Sequence, residues 1–353
     1  MKLKTKNIII LMGLLLGVSA CSKWNDPISK NIEDEALKEL FEQRDKHKWE
    51  AEDAREKENQ EAYQQYLKNL RAYKESEHPI MFGWFNAWNP EAPGKYSKLT
   101  LLPDSMDVVS IWGNWHSLNE DKIKELREVQ EKGTKVVIGW IVQSIGDQIV
   151  WGRENWADND YDAIEDYAQA IVDTIAKYDY DGFDCDYEPS YASPWKPGGH
   201  CGDIVSCSQN SGKEKENFFF KRMREKLDEH GQKVGRKMLF HLNGSIDWLT
   251  PSSAKYFDRF VIQSYNGYFN TCGSIENLTQ KLGISTKQIL FTESFENKPH
   301  NRPTFVSRYA KMVVSRGRDL GGIGVYHINE DAHEEDTYKN VREAITTMNP
   351  PIR

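Results

Sequence analysis

The chain has 353 residues and a formal net charge of −8, from 46 basic and 54 acidic side chains. Nucleic-acid binding favours a basic face, so this balance argues against it. With 39% apolar residues the chain can bury a sizeable core, as one large domain or two small ones.

At the N-terminus, Lys2 and Lys4 precede the apolar run Ile8–Val18, and small residues lead to Ala20-Cys21. The run is too short for a resident membrane helix and reads as a secretory signal. Val18-Ser19-Ala20-Cys21 resembles a bacterial lipobox. That resemblance implies removal of residues 1–20 and lipidation of Cys21; an ordinary cleavage site beside a chance cysteine is the alternative. The expected location is outside the cytoplasm, lipid-anchored to the bacterial outer membrane at the cell surface or in the periplasm. Export permits disulfides. Cys201 and Cys207 lie close together in one loop and are expected to pair. A metal site with nearby His200 competes with that pairing, but the spacing does not match a zinc pattern. No metal and no cofactor are expected.

Residues 21–78 form a tether and a charged helical segment. From Glu33 to Glu77 the chain is rich in Glu, Lys, Gln, Arg and Ala, with no Gly or Pro, which favours helix. Leu37, Leu40 and Phe41 are its sparse early apolar residues. Tyr63, Tyr66, Leu67, Leu70 and Tyr73 recur at helical spacing and predict contact with another surface. A solvated stalk is the favoured reading of the rest, with a partner-binding helix as the alternative.

Pro79 ends that region, and residues 79–353 form the second domain. Candidate strands run Ile80–Asn86, Met106–Trp112, Lys135–Val142, Tyr180–Glu188, Lys237–Asn243, Arg259–Tyr265, Gln288–Glu293 and Gly322–Ile328. Between them lie amphipathic stretches such as Asp121–Lys132, Ala163–Lys177, Glu214–Gly231, Ile275–Leu282, Thr304–Arg316 and Lys339–Met348. Alternation over about 270 residues predicts an α/β fold, a (β/α)8 TIM barrel. A doubly wound sheet is the rival, weakened because no Gly-rich phosphate loop follows the first strand.

The fourth strand reads Asp181-Gly182-Phe183-Asp184-Cys185-Asp186-Tyr187-Glu188. Alternation puts Asp184, Asp186 and Glu188 on one face, the barrel interior. Three carboxyl groups converging there cannot all ionise cheaply, so at least one pKa must rise. Glu188, at the strand's end, can then stay protonated as a general acid. A calcium loop would need Gly at the sixth position from Asp184, where Pro189 stands.

This segment resembles the D-G-x-D-x-D-x-E signature of glycoside hydrolase family 18, the chitinases and endo-β-N-acetylglucosaminidases. The likeness covers about residues 79 to 349, a usual length for the fold. It implies a substrate-assisted, retaining mechanism without a protein nucleophile. Glu188 would protonate the leaving oxygen and then activate water. Asp186 would hold the acetamide N–H, and Asp184 would share a proton with Asp186. Asp181 and Gly182 would serve backbone and packing.

Gln263-Ser264-Tyr265-Asn266 closes the sixth strand, with Gln263 and Tyr265 on one face. Tyr265 could orient the acetamide carbonyl. Chitinases of the family typically show Tyr-Asp here; Gln-x-Tyr-Asn resembles the bacterial endoglycosidases acting on N-glycans. The short connection Ser294–Arg302 leaves no room for the small inserted domain that deepens many chitinase clefts. Two departures stand out: Val137-Ile138-Gly139-Trp140 replaces Ser-x-Gly-Gly, and Tyr326-His327 stands where a Trp often lies under the sugar. Trp84, Trp88, Trp112, Trp115 and Trp140 cluster near the ends of the first three strands. Of these, Trp84, Trp112 and Trp140 are candidate sugar contacts, although each alone also fits a core role. Asn243, Glu293, Asn266 and Tyr326 are further candidates. The expected activity is cleavage between the two core N-acetylglucosamines of N-linked glycans, by a monomer. A chitinase and a non-catalytic surface glycan-binding protein on the same barrel are the alternatives.

Overall fold

The computed structural model describes residues 31–189, 202–265, 272–296, 303–333 and 336–350. The N-terminal signal with Cys21, and Cys201 and Asn266, lie outside the described residues. Eight parallel strands close in chain order into a (β/α)8 barrel: β1 (Ile80–Phe85), β2 (Val108–Trp112), β3 (Lys135–Ile141), β4 (Gly182–Tyr187), β5 (Leu239–Gly244), β6 (Arg259–Gln263), β7 (Ile289–Ser294) and β8 (Gly322–Tyr326). β8 returns to pair with β1, Ile80 opposite Gly322. The closed sheet rules out the doubly wound alternative.

Strands buried on both faces read as near-continuous apolar runs, and these do. The outward residues of β4, Phe183, Cys185 and Tyr187, are fully buried among the helices. Inward residues at the N-terminal half of the barrel form a separate apolar plug of Ile80, Phe82, Val108, Val137, Val261 and Leu290. Above that plug the inward residues turn polar at the level of Asp184.

Helix α1 (Asn31–Glu75) precedes the barrel. The division into compact units falls inside it, between Gln65 and Tyr66, earlier in the chain than the expected boundary at residue 78. From Tyr66 onward its residues belong with the barrel. Leu67 is fully buried, Arg71 Nη1 donates to the Glu131 carbonyl at 2.8 Å, and Lys74 Nζ to Thr134 Oγ1 at 2.5 Å. Of the five periodic apolar residues, Tyr63 and Tyr66 stay 46% and 44% exposed. The Tyr66 hydroxyl instead donates to Asp104 Oδ2 at 2.5 Å.

α2 (Glu120–Glu131) starts at Asn119, whose side chain accepts from the Lys122 N–H, and acidic Glu120 and Asp121 fill its first turn. α3 (Asp160–Tyr178) is capped the same way by Asn159. α4 (Glu214–Val234) ends on Gly235 in the left-handed conformation.

β4 is fixed at both ends. At its start Asp181 Oδ2 accepts from the Val136 N–H and from Gln130 Nε2, both at 2.9 Å, tying β4 to β3 and α2. Gly182 has φ of +152°, and a Cβ there would stand 2.0 Å from the Leu239 carbonyl oxygen. Only glycine permits that approach. At the far end the Tyr187 hydroxyl donates to Glu216 Oε1 at 2.9 Å, and Lys213 Nζ reaches both groups at 2.9 Å. Glu216 Oε2 also accepts from the Ser206 N–H at 3.1 Å. Burial raises the Glu216 pKa, and Lys213 opposes that rise.

Glu216 is wholly buried, so removing it strands a lysine and a phenol. Glu216→Ala should destabilise the barrel by about 3–5 kcal/mol. A denaturant midpoint unchanged from wild type would refute this role.

Candidate active site

Asp184 is fully buried inside the barrel, and both of its oxygens accept hydrogen bonds. Its Oδ2 accepts from Trp84 Nε1 at 2.7 Å and Ser110 Oγ at 2.9 Å, and its Oδ1 from Asn243 Nδ2 at 3.1 Å. Burial pushes its pKa up to about 6, against the pull of those three donors. Gly139 makes room for it: a Cβ there would lie 2.7 Å from the Asp184 carbonyl oxygen and 2.9 Å from Ser110 Oγ. The glycine of Val137-Ile138-Gly139-Trp140 is therefore a packing requirement of the acidic strand.

Asp186 stands two residues further toward the barrel mouth, 4% exposed. Gln263 Nε2 donates to its Oδ1 at 3.1 Å and to Asn243 Oδ1 at 2.8 Å. A continuous chain thus runs Gln263–Asn243–Asp184 beside Gln263–Asp186. Burial raises the Asp186 pKa well above the ordinary range, followed by the charges of Glu188 and Asp184. Glu188 lies just past the end of β4 and is half-buried. Burial raises its pKa too, while hydrogen bonds to Gln263 and Asp186 lower it. The two carboxyl groups form a coupled pair that titrates as a unit. The more deeply buried Asp186 is the stronger holder of a proton in the free protein.

Aromatic rings line the mouth above this pair. Tyr326 stacks on Tyr265 with centroids 5.8 Å apart, and meets Trp84 at 5.9 Å and Trp112 at 6.3 Å edge to face. Tyr265 follows β6 rather than lying within it. Burial, then the charge of Asp186, raises the pKa of its hydroxyl, which stays a donor.

The structure thus brings Asp184, Asp186, Glu188, Gln263, Tyr265, Asn243, Trp84, Trp112 and Tyr326 to one end of the barrel. Trp84 and Asn243 are fully enclosed, with Trp84 Nε1 and Asn243 Nδ2 donating to Asp184 and Asn243 Oδ1 accepting from Gln263. Glu293 is fully buried, and its Oε1 accepts from the Ser294 N–H at 2.8 Å. Trp140 is not at the mouth. It faces outward into the helix-covered core, stacked on Trp115 at 4.5 Å with its indole N–H on the Tyr167 hydroxyl at 3.0 Å. Alternation on β3 explains this, because Gly139 takes the inward position. Trp88 and Trp115 share the same outer layer. Cys207 is disulfide-bonded; Cys201, its expected partner, is outside the described residues.

Three residues at the site were not singled out from the sequence. Ser110 was legible, since it alternates inward with Val108 and Trp112. Gln143 was not: its Nε2 donates to the Glu188 carbonyl at 2.6 Å, a loop contact across 45 positions. His241 pairs in register with Asp184 and is fully buried. Among the described residues neither of its ring nitrogens has a hydrogen-bond partner. Burial drops its pKa to about 3, so it is neutral. Among the described residues no group of three or more His, Cys, Asp or Glu is placed to hold a metal.

Comparison with known proteins places the chain in a family. A family model for glycoside hydrolase family 18, BT1044-like, matches residues 48–347. Endo-beta-N-acetylglucosaminidase F2 of Elizabethkingia meningoseptica is 30% identical over 138 residues. That match spans 35% of this chain and 37% of the relative, little more than a third of its length. The solved structure of a selenomethionine BT1044 variant superposes with a TM-score of 0.67 at 27% identity, over 81% of this chain and 92% of that one. An endo-beta-N-acetylglucosaminidase from Cordyceps militaris in apo form gives 0.55 at 22% identity, over 80% and 95%. The latter shares the fold alone at that identity. The family match covers the barrel and its acidic strand, and the strand's carboxyl groups converge at the C-terminal mouth: the chain belongs to glycoside hydrolase family 18.

Proposed function

We propose that this glycosidase is a retaining, substrate-assisted endo-β-N-acetylglucosaminidase that cuts between the two core N-acetylglucosamines of N-linked glycans. The coupled Asp186–Glu188 pair at the open end of the barrel carries the reading. In the free protein the shared proton rests mainly on Asp186. A bound 2-acetamido N–H would donate to Asp186 and favour its anion, and the proton then belongs to Glu188. Glu188 protonates the glycosidic oxygen while the acetamide oxygen attacks the anomeric carbon, giving an oxazolinium. The Asp186 carboxylate balances its charge, and Tyr265 aligns the acetamide oxygen. Glu188, now ionised, takes a proton from water as that water opens the oxazolinium. Two inversions give net retention.

Support for the N-glycan substrate comes from Gln263-x-Tyr265-Asn266, the short connection after β7, and the name of the Elizabethkingia relative. The same proposal includes export with a lipid tether at Cys21, which would hold the enzyme against glycoproteins outside the cell, and action as a monomer.

Incubating the protein with defined high-mannose, hybrid and complex glycoproteins should leave one N-acetylglucosamine on asparagine, read as a mass loss. Intact glycoproteins alongside cleaved chitin oligomers would refute the substrate. Glycan binding without any cleavage would refute the enzyme itself.

Glu188→Gln should lower kcat by about 10²–10⁴-fold, the range for a lost general acid. Tyr265→Phe should cost roughly 10²-fold or more in kcat, as for one lost positioning donor. An unchanged kcat for either would remove that residue from the mechanism.

Activity should fall as pH rises through the raised pKa of the pair, on a limb above the usual carboxylate range of about 4. Stability has the same sign. A group whose folded pKa is raised stabilises fully below its unfolded pKa and loses that contribution as pH climbs through the folded value. Asp186→Asn should therefore gain Tm relative to wild type at pH 8 more than at pH 4. An equal difference at both pH values would contradict the buried-charge argument.

A further inference from the structure

A cavity of about 880 Å³ opens at the N-terminal end of the barrel, opposite the carboxyl groups. It lies between the last turn of α1, the starts of β1, β6 and β8, and the chain after Met348. Its walls carry four cations, Lys74, Arg259, Lys287 and Arg318, against one acid, Glu77. Glu77 is already paired with Lys287. Asp107, behind the wall, is occupied by His78 Nε2 at 2.9 Å and by the Met81 N–H at 2.8 Å. Asp104 is held by Lys132 at 3.1 Å and by Tyr66.

The two guanidinium groups are left over. Arg259 takes the inward position at the start of β6, beside His241 in register, and is partly withdrawn from solvent. Its Nη1 reaches only the Lys287 carbonyl, at 3.5 Å. Arg318 spends its Nε on the Met348 carbonyl at 2.8 Å. Among the described residues neither arginine makes an ion pair. Burial lowers the Lys74 pKa to about 8 against the opposing pull of Asp107 and Asp104, and lowers that of Arg259 against Asp107 and Asp258. A partly buried cation without an ion-pair partner, as Arg259 is, costs energy in an empty site and regains it in a filled one, while exposed Arg318 can reach a ligand at the rim.

We propose that this cavity binds the phosphate group of an organic phosphate, with the Arg259 and Arg318 guanidinium groups as its principal ligands. Guanidinium forks match tetrahedral oxyanions and can bind them bidentately. The volume far exceeds a bare ion, and Ile80 and Met348 give part of the wall an apolar face for the attached group. A soluble phosphate ester and a phospholipid headgroup share this chemistry. The inference is independent of the glycosidase reading.

The full chain would be titrated calorimetrically with glycerol 3-phosphate and inorganic phosphate, at constant ionic strength set with chloride. In parallel it would be floated with phosphatidylglycerol and with phosphatidylcholine vesicles. Saturable binding is expected for the phosphate ester, weakened at least about tenfold by Arg259→Gln and by Arg318→Gln, as for a lost charged hydrogen bond. Lys177→Gln, on an exposed part of α3 outside the cavity, should bind as wild type. Flotation with phosphatidylglycerol alone, lost in both arginine variants, would identify a lipid headgroup as the source. Binding of the free ester alone would identify a soluble one. Arg259 is packed within the barrel, so exposed Arg318 keeps the test decisive if the first variant misfolds. Absence of saturable binding in both arms, or an Arg318→Gln variant that binds like Lys177→Gln, would overturn the proposal.

Discussion

Ionising a carboxyl group inside a protein is expensive, and this barrel places three of them along one strand. Asp184 is fully enclosed and tolerated because Trp84, Ser110 and Asn243 all donate to it. Asp186 has fewer donors and more negative neighbours, so its proton is held tightly. Glu188 stands at the rim, partly wet. The three environments grade from satisfied to reactive along one alternating face. That gradient is the source of any acid–base chemistry the molecule performs.

The rest of the barrel keeps the strand from relaxing. Asp181 locks its start to the neighbouring strand and helix, and the Tyr187–Glu216–Lys213 network locks its end. Gly182 lets β4 approach Leu239 of β5, and Gly139 leaves room for Asp184 and Ser110 to meet. Gln143 fixes the Glu188 main chain from the loop after β3. Outward residues of the same strand pack among helices, so neither face of β4 can turn. Rigidity of this kind suits a site whose proton must be positioned to within a hydrogen bond.

The two ends of the barrel carry opposite electrostatics. Acidic groups gather at the mouth, and arginines without ion-pair partners gather at the base around a cavity. An apolar plug of Phe82, Val137, Val261 and Leu290 separates them.

Much of this was written in the sequence. Period-two alternation put Asp184, Asp186 and Glu188 on one face, and eight strand-like runs between amphipathic stretches implied the closed barrel. Both follow from local geometry that every strand obeys. The same alternation, applied to β3, would have turned Trp140 outward once Gly139 was placed inward. Contacts between distant segments were not legible: the Gln143 bond to Glu188, the donors that saturate Asp184, the exposed Tyr66, and the basal cavity lined by residues from both ends of the domain. Local pattern fixes which way a side chain points. Closure of the barrel alone decides what it meets there, and burial among those neighbours sets which carboxyl keeps its proton.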